Sequence, residues 1–291
     1  MSRLSKRWPK PAVMPLRKQQ SNLAELLLKA RLDPRESRDL LAFVLQKSTA
    51  YLVAHPETQL SPTQQKTFRA LAAKRRRGVP FAYLTGRQGF YGLDFFVSNA
   101  VLIPRPETEQ LIDWTLANID RKNPTTIVDV GTGSGCIAVT LAKYLPAANI
   151  IASDVSDKAL TVTKKNARLH KVSNRITFRR GSLLSVLKPS EQPDIVVANL
   201  PYLTKPQLKN VPHEPKLALH GGTRGLELIE KLIQQLAERG ISRAILEIDP
   251  QQERWLTATA YRLKNYQYEI LKDLSGRARF LTLNQRVARI P

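Results

Sequence analysis

The sequence predicts an α/β fold: a doubly wound sheet preceded by a small helical domain and a β-hairpin. Three observations carry that expectation. From about residue 127 onward, short apolar runs alternate with stretches of helical period, which a sheet covered by helices on both faces satisfies. One of those runs, 127–130, passes directly into a glycine-rich turn and then a helix. Residues 21–79, by contrast, hold helix starts, helix stops and helical spacing.

Taken in order, residues 1–20 are basic, contain three prolines and lack acids and an apolar signal core, so they read as a disordered tail. An Arg-rich, acid-poor stretch also meets the composition of a mitochondrial transit sequence. Residues 21–79 form the helical domain. Ser21 caps a helix through Leu23, Leu26 and Leu27; Asp33, Pro34 and Glu36 start another ahead of Leu40, Leu41, Val44 and Leu45. Ser61 and Pro62 repeat the start before Phe68 and Leu71, and Gly78 stops that helix after four cations. Cations at a helix C-terminus are favoured by its dipole, a sufficient structural reason for them.

Residues 80–104 read as a hairpin linker, because from Phe81 to Val97 the aromatic residues are separated by Gly86, Gly89 and Gly92. The second domain follows over 105–291. Pro106 suits a first helical turn and Glu107 and Glu109 its positive end; held between prolines, Arg105 and Glu107 are also placed to face a crevice. Strands are expected near 127–130, 149–153, 175–178, 194–198, 244–248, 266–271 and 278–283, with helices near 137–145, 226–238 and 251–263. Between them, 203–225 is long, polar and rich in Pro and Gly, the composition of a loop that covers a substrate.

The chain has 291 residues, 42% of them hydrophobic, enough for two domains. Its formal charge is +22, of which +12 falls in residues 1–80, where 17 Lys/Arg face 5 Asp/Glu. Such a surface attracts phosphate backbones or an acidic protein and speeds association. One cysteine, Cys136, excludes an intrachain disulfide framework and fits a reducing compartment, the cytoplasm. The four histidines show no metal-ligand spacing, so no metal is expected, and no apolar run is long enough to span a membrane.

The chemistry gathers at strand ends. Gly131, Gly133 and Gly135, with Thr132 and Ser134 between them, let the backbone approach a ligand while the next helix aims free amides at the turn. This G-x-G-x-G differs from the G-x-G-x-x-G of dinucleotide sites and suits an adenosyl cofactor without a pyrophosphate. Asp154, about 20 residues on, stands where an acid bonds both ribose hydroxyls, and Ser182 and Leu183 where an adenine is held. Asn199, Leu200, Pro201 and Tyr202 then form a corner for a weak nitrogen nucleophile: the Asn199 oxygen and the Leu200 carbonyl accept its two N–H groups, Pro201 fixes the carbonyl, and Tyr202 offers a flat face.

These residues resemble the HemK/PrmC-type peptide chain release factor N(5)-glutamine methyltransferases, over about residues 30–283. The resemblance is carried by R-R-x-G-V-P-F-A-Y-L-T-G from Arg75, V-L-I-P-R-P-E-T-E from Val101, V-D-V-G-T-G-S-G-C from Val128, N-L-P-Y from Asn199, E-P-K-L-A-L-H-G-G from Glu214 and L-E-I-D-P-Q-Q from Leu246. It implies a seven-stranded Rossmann-like class I methyltransferase domain that uses S-adenosylmethionine, preceded by a helical domain that docks release factors. The implied reaction methylates the glutamine of a Gly-Gly-Gln loop, gripped by Asn199, Leu200, Pro201 and Tyr202 with Arg105 and Glu107 at the substrate side. Cofactor contacts would fall to residues 131–135, Asp154, Ser182, Leu183 and Asn199, in a monomer whose basic surface also suits ribosome or RNA contact. Two positions depart from the family pattern: Leu200 replaces a proline, and Ser182 an aspartate. Asn-Leu-Pro-Tyr also resembles the motif of rRNA adenine dimethyltransferases, so RNA adenine methylation is the runner-up, and a catalytically inactive basic adaptor a third reading.

Overall fold

The structure, a computed structural model, describes residues 23–261 and 263–286. The tail expected over 1–20 and the Ser21 cap lie outside the described residues. The chain divides into two compact units that meet at the Val79–Pro80 bond.

Among the described residues, the first unit has four helices, α1 (Leu23–Ala30), α2 (Pro34–Leu45), α3 (Thr49–Ala54) and α4 (Pro62–Arg76). Asp33 accepts from the Arg35 and Glu36 amides, and Ser61 and Gln64 close a reciprocal capping box, so both start sites read from the sequence hold. The six-residue α3 escaped the sequence reading because it is too short to display a period; only its Ser48 cap marks it. Leu40, Leu41, Leu52, Leu60, Phe68 and Ala72 are buried and form the interior. Two of the four cations ending α4 serve this packing: Arg75 grips Glu36 through two hydrogen bonds, at 3.0 and 2.5 Å, and Arg76 donates to the Ala30 carbonyl.

In the second unit the hairpin expected from Phe81 begins only at Arg87. Phe81–Thr85 are a short helix, α5, because Pro80 starts a turn that Gly86, at φ +70°, ends. The hairpin pairs β1 (Arg87–Phe90) with β2 (Leu93–Phe96) across Tyr91 and Gly92, both at positive φ, the two-residue turn whose twist suits paired strands.

The main sheet has the order β5-β4-β3-β6-β7-β9-β8. β3 (Thr125–Val130), β4 (Ala148–Asp154), β5 (Ile176–Arg180), β6 (Ile195–Ala198) and β7 (Arg243–Glu247) are parallel; β9 (Ala278–Gln285) runs antiparallel to β7, and β8 (Tyr266–Lys272) antiparallel to β9. Both faces are buried, which is why the central strands read as continuous apolar runs. Ile127, Ile150, Ile195 and Val197 pack on the side of α6 (Glu109–Ala117) and α7 (Cys136–Tyr144), while Val128, Val130, Val196 and Leu246 pack on the side of α9 (Glu227–Arg239) and α10 (Glu253–Tyr261). α8 (Asp157–Leu169) completes the first layer and holds the hairpin: the Asn166 side chain accepts from the Phe96 amide and donates to the Phe96 carbonyl. Strand order reverses between β3 and β6, and an open sheet of this kind offers its crevice beyond the strand ends there.

Candidate active site

The glycine turn after β3 is a cradle bolted from three sides. Gly131, Gly133 and Gly135 adopt φ of +74°, +56° and +80°, a conformation a side chain resists. The Gly131 and Thr132 amides donate to the Ser153 carbonyl at the end of β4. From α8, the Thr163 hydroxyl donates to the Gly133 carbonyl at 2.9 Å and Asn166 to the Ser134 carbonyl at 2.8 Å. From below, Asp129 accepts from the Thr132 hydroxyl at 2.6 Å and from the Ala138 amide. Asp129 is fully buried, and burial pushes its carboxyl up to about 7.

Asp154 ends β4 beside this cradle. One carboxylate oxygen accepts from the Gly133 amide at 3.0 Å and the other from the Ser156 amide at 2.9 Å. A carboxylate has about four acceptor sites, so each oxygen keeps capacity for a ligand hydroxyl. Burial raises the Asp154 pKa, and the Ser156 and Gly133 amides oppose that rise.

These groups line a cavity of about 320 Å³ together with Gly181, Ser182, Leu183, Asn199, Leu200 and Pro201. Every cofactor-side residue singled out from the sequence except Gly135 is in that lining; Gly135 lies just behind, against Thr163. Leu183 holds φ +51°, unusual for a bulky residue, at the point where the chain turns along the cavity wall. The cradle and the corner after β6 are in direct apposition: a Cβ added to Gly131 would lie 3.1 Å from the Leu200 side chain and 3.8 Å from the Asn199 carbonyl.

Asn199 is oriented by two residues that sequence reasoning missed. Its Nδ2 donates to Glu247 at 2.9 Å and to the Thr108 hydroxyl at 3.1 Å, and Thr108 donates to the same Glu247 oxygen at 2.7 Å. A carboxylate oxygen only accepts, so it calls for the amide nitrogen at this end and leaves Oδ1 as the acceptor end. Glu247 ends β7 at 2% exposure, and burial pushes its carboxyl up to about 7. A charged residue inside the apolar run I-L-E-I was the one available sign of it, as Asp129 was inside I-V-D-V.

A second cavity of about 90 Å³ shares Leu102, Arg105, Asn199, Leu200 and Pro201 with the first and adds Tyr202, Leu203, Val211 and Leu219. Arg105 therefore faces the crevice, where it pairs with the buried Glu214 at 2.5 Å. Glu107 does not line either cavity; it is exposed in the first turn of the 3-10 segment Pro106–Thr108, and its charge is felt at Glu247. Burial raises the Tyr202 hydroxyl's pKa well above its ordinary value.

The loop 203–225 is more structured than its composition promised. It contains 3-10 turns at Gln207–Asn210 and Lys216–Ala218, and Leu203 bridges to Leu219 and Gly221 through backbone hydrogen bonds. A Cβ on Gly225, at φ +76°, would fall 2.1 Å from the Tyr202 carbonyl oxygen. The loop thus presses on the backbone of the corner. Among the described residues no cluster of His, Cys, Asp or Glu is placed to hold a metal ion, and no helix is long and apolar enough to cross a membrane.

Residues 20–86 match the family model of the PrmC N-terminal domain, and residues 107–257 that of ribosomal protein L11 methyltransferase (PrmA). The release factor glutamine methyltransferase of Koribacter versatilis is 42% identical over 211 residues, 70% of this chain and 75% of that protein. That of Coxiella burnetii is 39% identical over 74% of this chain and 78% of its own length, and that of Moorella thermoacetica 38% identical over 84% and 88%. Among solved structures, the hMettl16 catalytic domain in complex with MAT2A 3'UTR hairpin 1 aligns with a TM-score of 0.58 at 15% identity, covering 86% of this chain and 92% of that one. At that identity the likeness is one of fold alone.

Proposed function

The chain belongs to the release factor glutamine methyltransferases, and from that membership we propose which of its residues perform the transfer. The protein methylates the glutamine side-chain amide of peptide chain release factors, using S-adenosylmethionine. Its match to the L11 methyltransferase model is confined to residues 107–257, whereas the match to the PrmC N-terminal domain lies in the preceding residues.

The cavity fits an adenosyl ligand. Its volume of about 320 Å³ is that of a small-molecule site, its floor is a turn without side chains at Gly131 and Gly133, and a carboxylate stands at its rim. Residues 131–135 and Asp154 would hold the cofactor, Asp154 at the ribose hydroxyls and Ser182 and Leu183 beside the adenine, with Asn199 where the two cavities meet. Bound there, S-adenosylmethionine supplies an electrophilic methyl group on a sulfonium. An amide nitrogen is a poor nucleophile because its lone pair is delocalised, so the protein's task is to align it and accept its hydrogens. Asn199 Oδ1 and the Leu200 carbonyl take those hydrogens, Pro201 fixes the carbonyl, and Tyr202 packs against the flat amide. Leu200, in place of proline, is itself buried against the cradle. Arg105, held by Glu214, walls the glutamine slot, Glu107 stays outside it, and the loop 203–225 screens the slot from water.

The observation that carries this reading is the locked orientation of Asn199 at the wall shared by the two cavities. The test is to incubate the protein with methyl-labelled cofactor and either a release factor or rRNA. Label on the glutamine of the Gly-Gly-Gln loop is the expected result; label on rRNA alone would replace it with the RNA reading, and label on neither with the adaptor. The helical unit would dock the release factor in the cytoplasm, where the cationic surplus speeds encounter with an acidic surface or with ribosomal RNA.

For the cofactor side, Asp154→Ala is expected to weaken S-adenosylmethionine binding by about 10- to 100-fold, the scale of about 1.5–3 kcal/mol for hydrogen bonds to a charged group. Calorimetry on the purified variant checks it. Unchanged affinity would remove the ribose role from Asp154.

A further inference from the structure

We propose that the negative charge of Glu247 sets the acceptor strength of Asn199 and thereby the rate of methyl transfer. Glu247 then acts as a positioning residue through Asn199 and does not touch the substrate; the inference rests on the reading of Asn199 given above.

Glu247 ends β7 and Asn199 directly follows the neighbouring parallel strand β6, with Ala198 in register with Leu246. One Glu247 oxygen receives both the Asn199 amide and the Thr108 hydroxyl, at 2.9 and 2.7 Å. A neutral carbonyl would receive the same two donors, so the clamp alone does not require a carboxylate. Keeping an ionisable group at 2% exposure is costly unless its charge has a use. The reaction supplies one. The glutamine nitrogen gains a methyl group whose carbon–sulfur bond breaks with the electron pair staying on sulfur, and it then sheds one proton to water. Positive charge therefore grows on that nitrogen, and its hydrogen bonds to Asn199 Oδ1 strengthen as it does. A carboxylate bonded to the far end of the Asn199 amide polarises it toward Oδ1, as linked hydrogen bonds reinforce one another in a low-dielectric interior.

The charged groups around Glu247 leave its protonation poised. Burial is the largest influence and raises its pKa; Glu107 also raises it, while the Thr108 hydroxyl and the charges of Arg279 on β9 and of Arg105 lower it, leaving it at about 7. Tyr202 and Cys136 lie close enough to feel its charge and are held neutral by their own raised pKa values. Two consequences follow with definite signs. The rate should rise with pH through about 7 as the carboxylate forms. Because the folded-state pKa lies above the unfolded one, the fold loses stability as pH rises from the unfolded value through about 7, so a neutral isostere should not destabilise the protein at alkaline pH.

The test is Glu247→Gln, which keeps size and a carbonyl acceptor. The expected result at pH 8.5 is a kcat about 10- to 100-fold below wild type, with KM for the release factor and Kd for the cofactor within about twofold, a thermal midpoint no lower than wild type, and no acid limb near neutral pH. A readout independent of activity is the infrared carboxyl band of the free protein: wild type should lose one buried carboxylic acid near neutral pH that the variant lacks, while the titration of Asp129 remains in both. A Glu247→Gln enzyme with wild-type kcat and the same acid limb would overturn the inference. Asn199→Ala separates this outcome from failure of the underlying reading: if that variant still transfers methyl groups, the corner itself is misassigned, whereas if it is inactive and Glu247→Gln is not, only the role of the charge is lost.

Discussion

Asn199→Ala is expected to reduce kcat for release-factor methylation by at least about 100- to 1000-fold, the effect of removing one aligned hydrogen-bond partner from a reacting centre, while cofactor affinity stays within about twofold. In the proposed arrangement alanine removes the acceptor of one substrate N–H and leaves that N–H unpaired, while the Leu200 carbonyl still accepts the other. The cofactor side is expected to be spared because its proposed holders do not depend on the Asn199 side chain: the glycine turn is fixed by Ser153, Thr163, Asn166 and Asp129, and Asp154 by the Gly133 and Ser156 amides. The substitution also takes one donor from the buried Glu247, a cost of about 1–3 kcal/mol, so the thermal midpoint must be measured beside the rate. A folded, cofactor-binding variant with transfer within tenfold of wild type would show that Asn199 does not grip the glutamine.

The parts of this site that the sequence disclosed are those built from adjacent residues. Three glycines at alternate positions, an acid at the next strand end and an Asn-Leu-Pro-Tyr exit each announce a local backbone geometry; Gly131, Gly133, Asp154, Asn199, Leu200 and Pro201 line the larger cavity and Tyr202 the smaller one. Thr108 and Glu247 were not disclosed, because their roles exist only after folding; Asp129 bonds the nearby Thr132 and Ala138 but stood hidden in an apolar run. Thr108 reaches Asn199 across 91 residues of chain and Glu247 across 48. In P-E-T-E the eye goes to the charges, yet the threonine is the residue turned inward and Glu107 remains exposed. The same distinction governs the fold. The strands of the sheet are legible as β-branched runs within about two residues, but the reversal of β9 between β7 and β8 is not, since an apolar pattern does not record direction. Aromatic density likewise suggested a strand at Phe81, where the tight closure between Pro80 and Gly86 makes a helical turn instead.

Gly135→Ala should be the most damaging single methyl in the molecule's cofactor cradle, and by more than Gly133→Ala. At Gly135 the new Cβ would sit 2.5 Å from Thr163 Cγ2 and 3.2 Å from its Cα, with φ at +80°. Left-handed backbone costs an alanine about 1–2 kcal/mol, and overfilling a packed contact about 1–3 kcal/mol more. At Gly133 the nearest atom is a carbonyl oxygen at 3.8 Å, so only the first cost applies. Thr163 cannot retreat freely, because its hydroxyl holds the Gly133 carbonyl and its own helix; the glycine turn must move instead, and with it the amide that Asp154 accepts. Cofactor affinity should therefore fall by about 30-fold or more in Gly135→Ala, on about 1.4 kcal/mol per tenfold, with a lower thermal midpoint. Adding Thr163→Ser removes the clashing methyl and keeps the hydroxyl, so the double variant should recover part of both losses. Equal affinity loss in the two glycine variants, or no recovery in the double variant, would mean that the cradle is not braced against α8 as described.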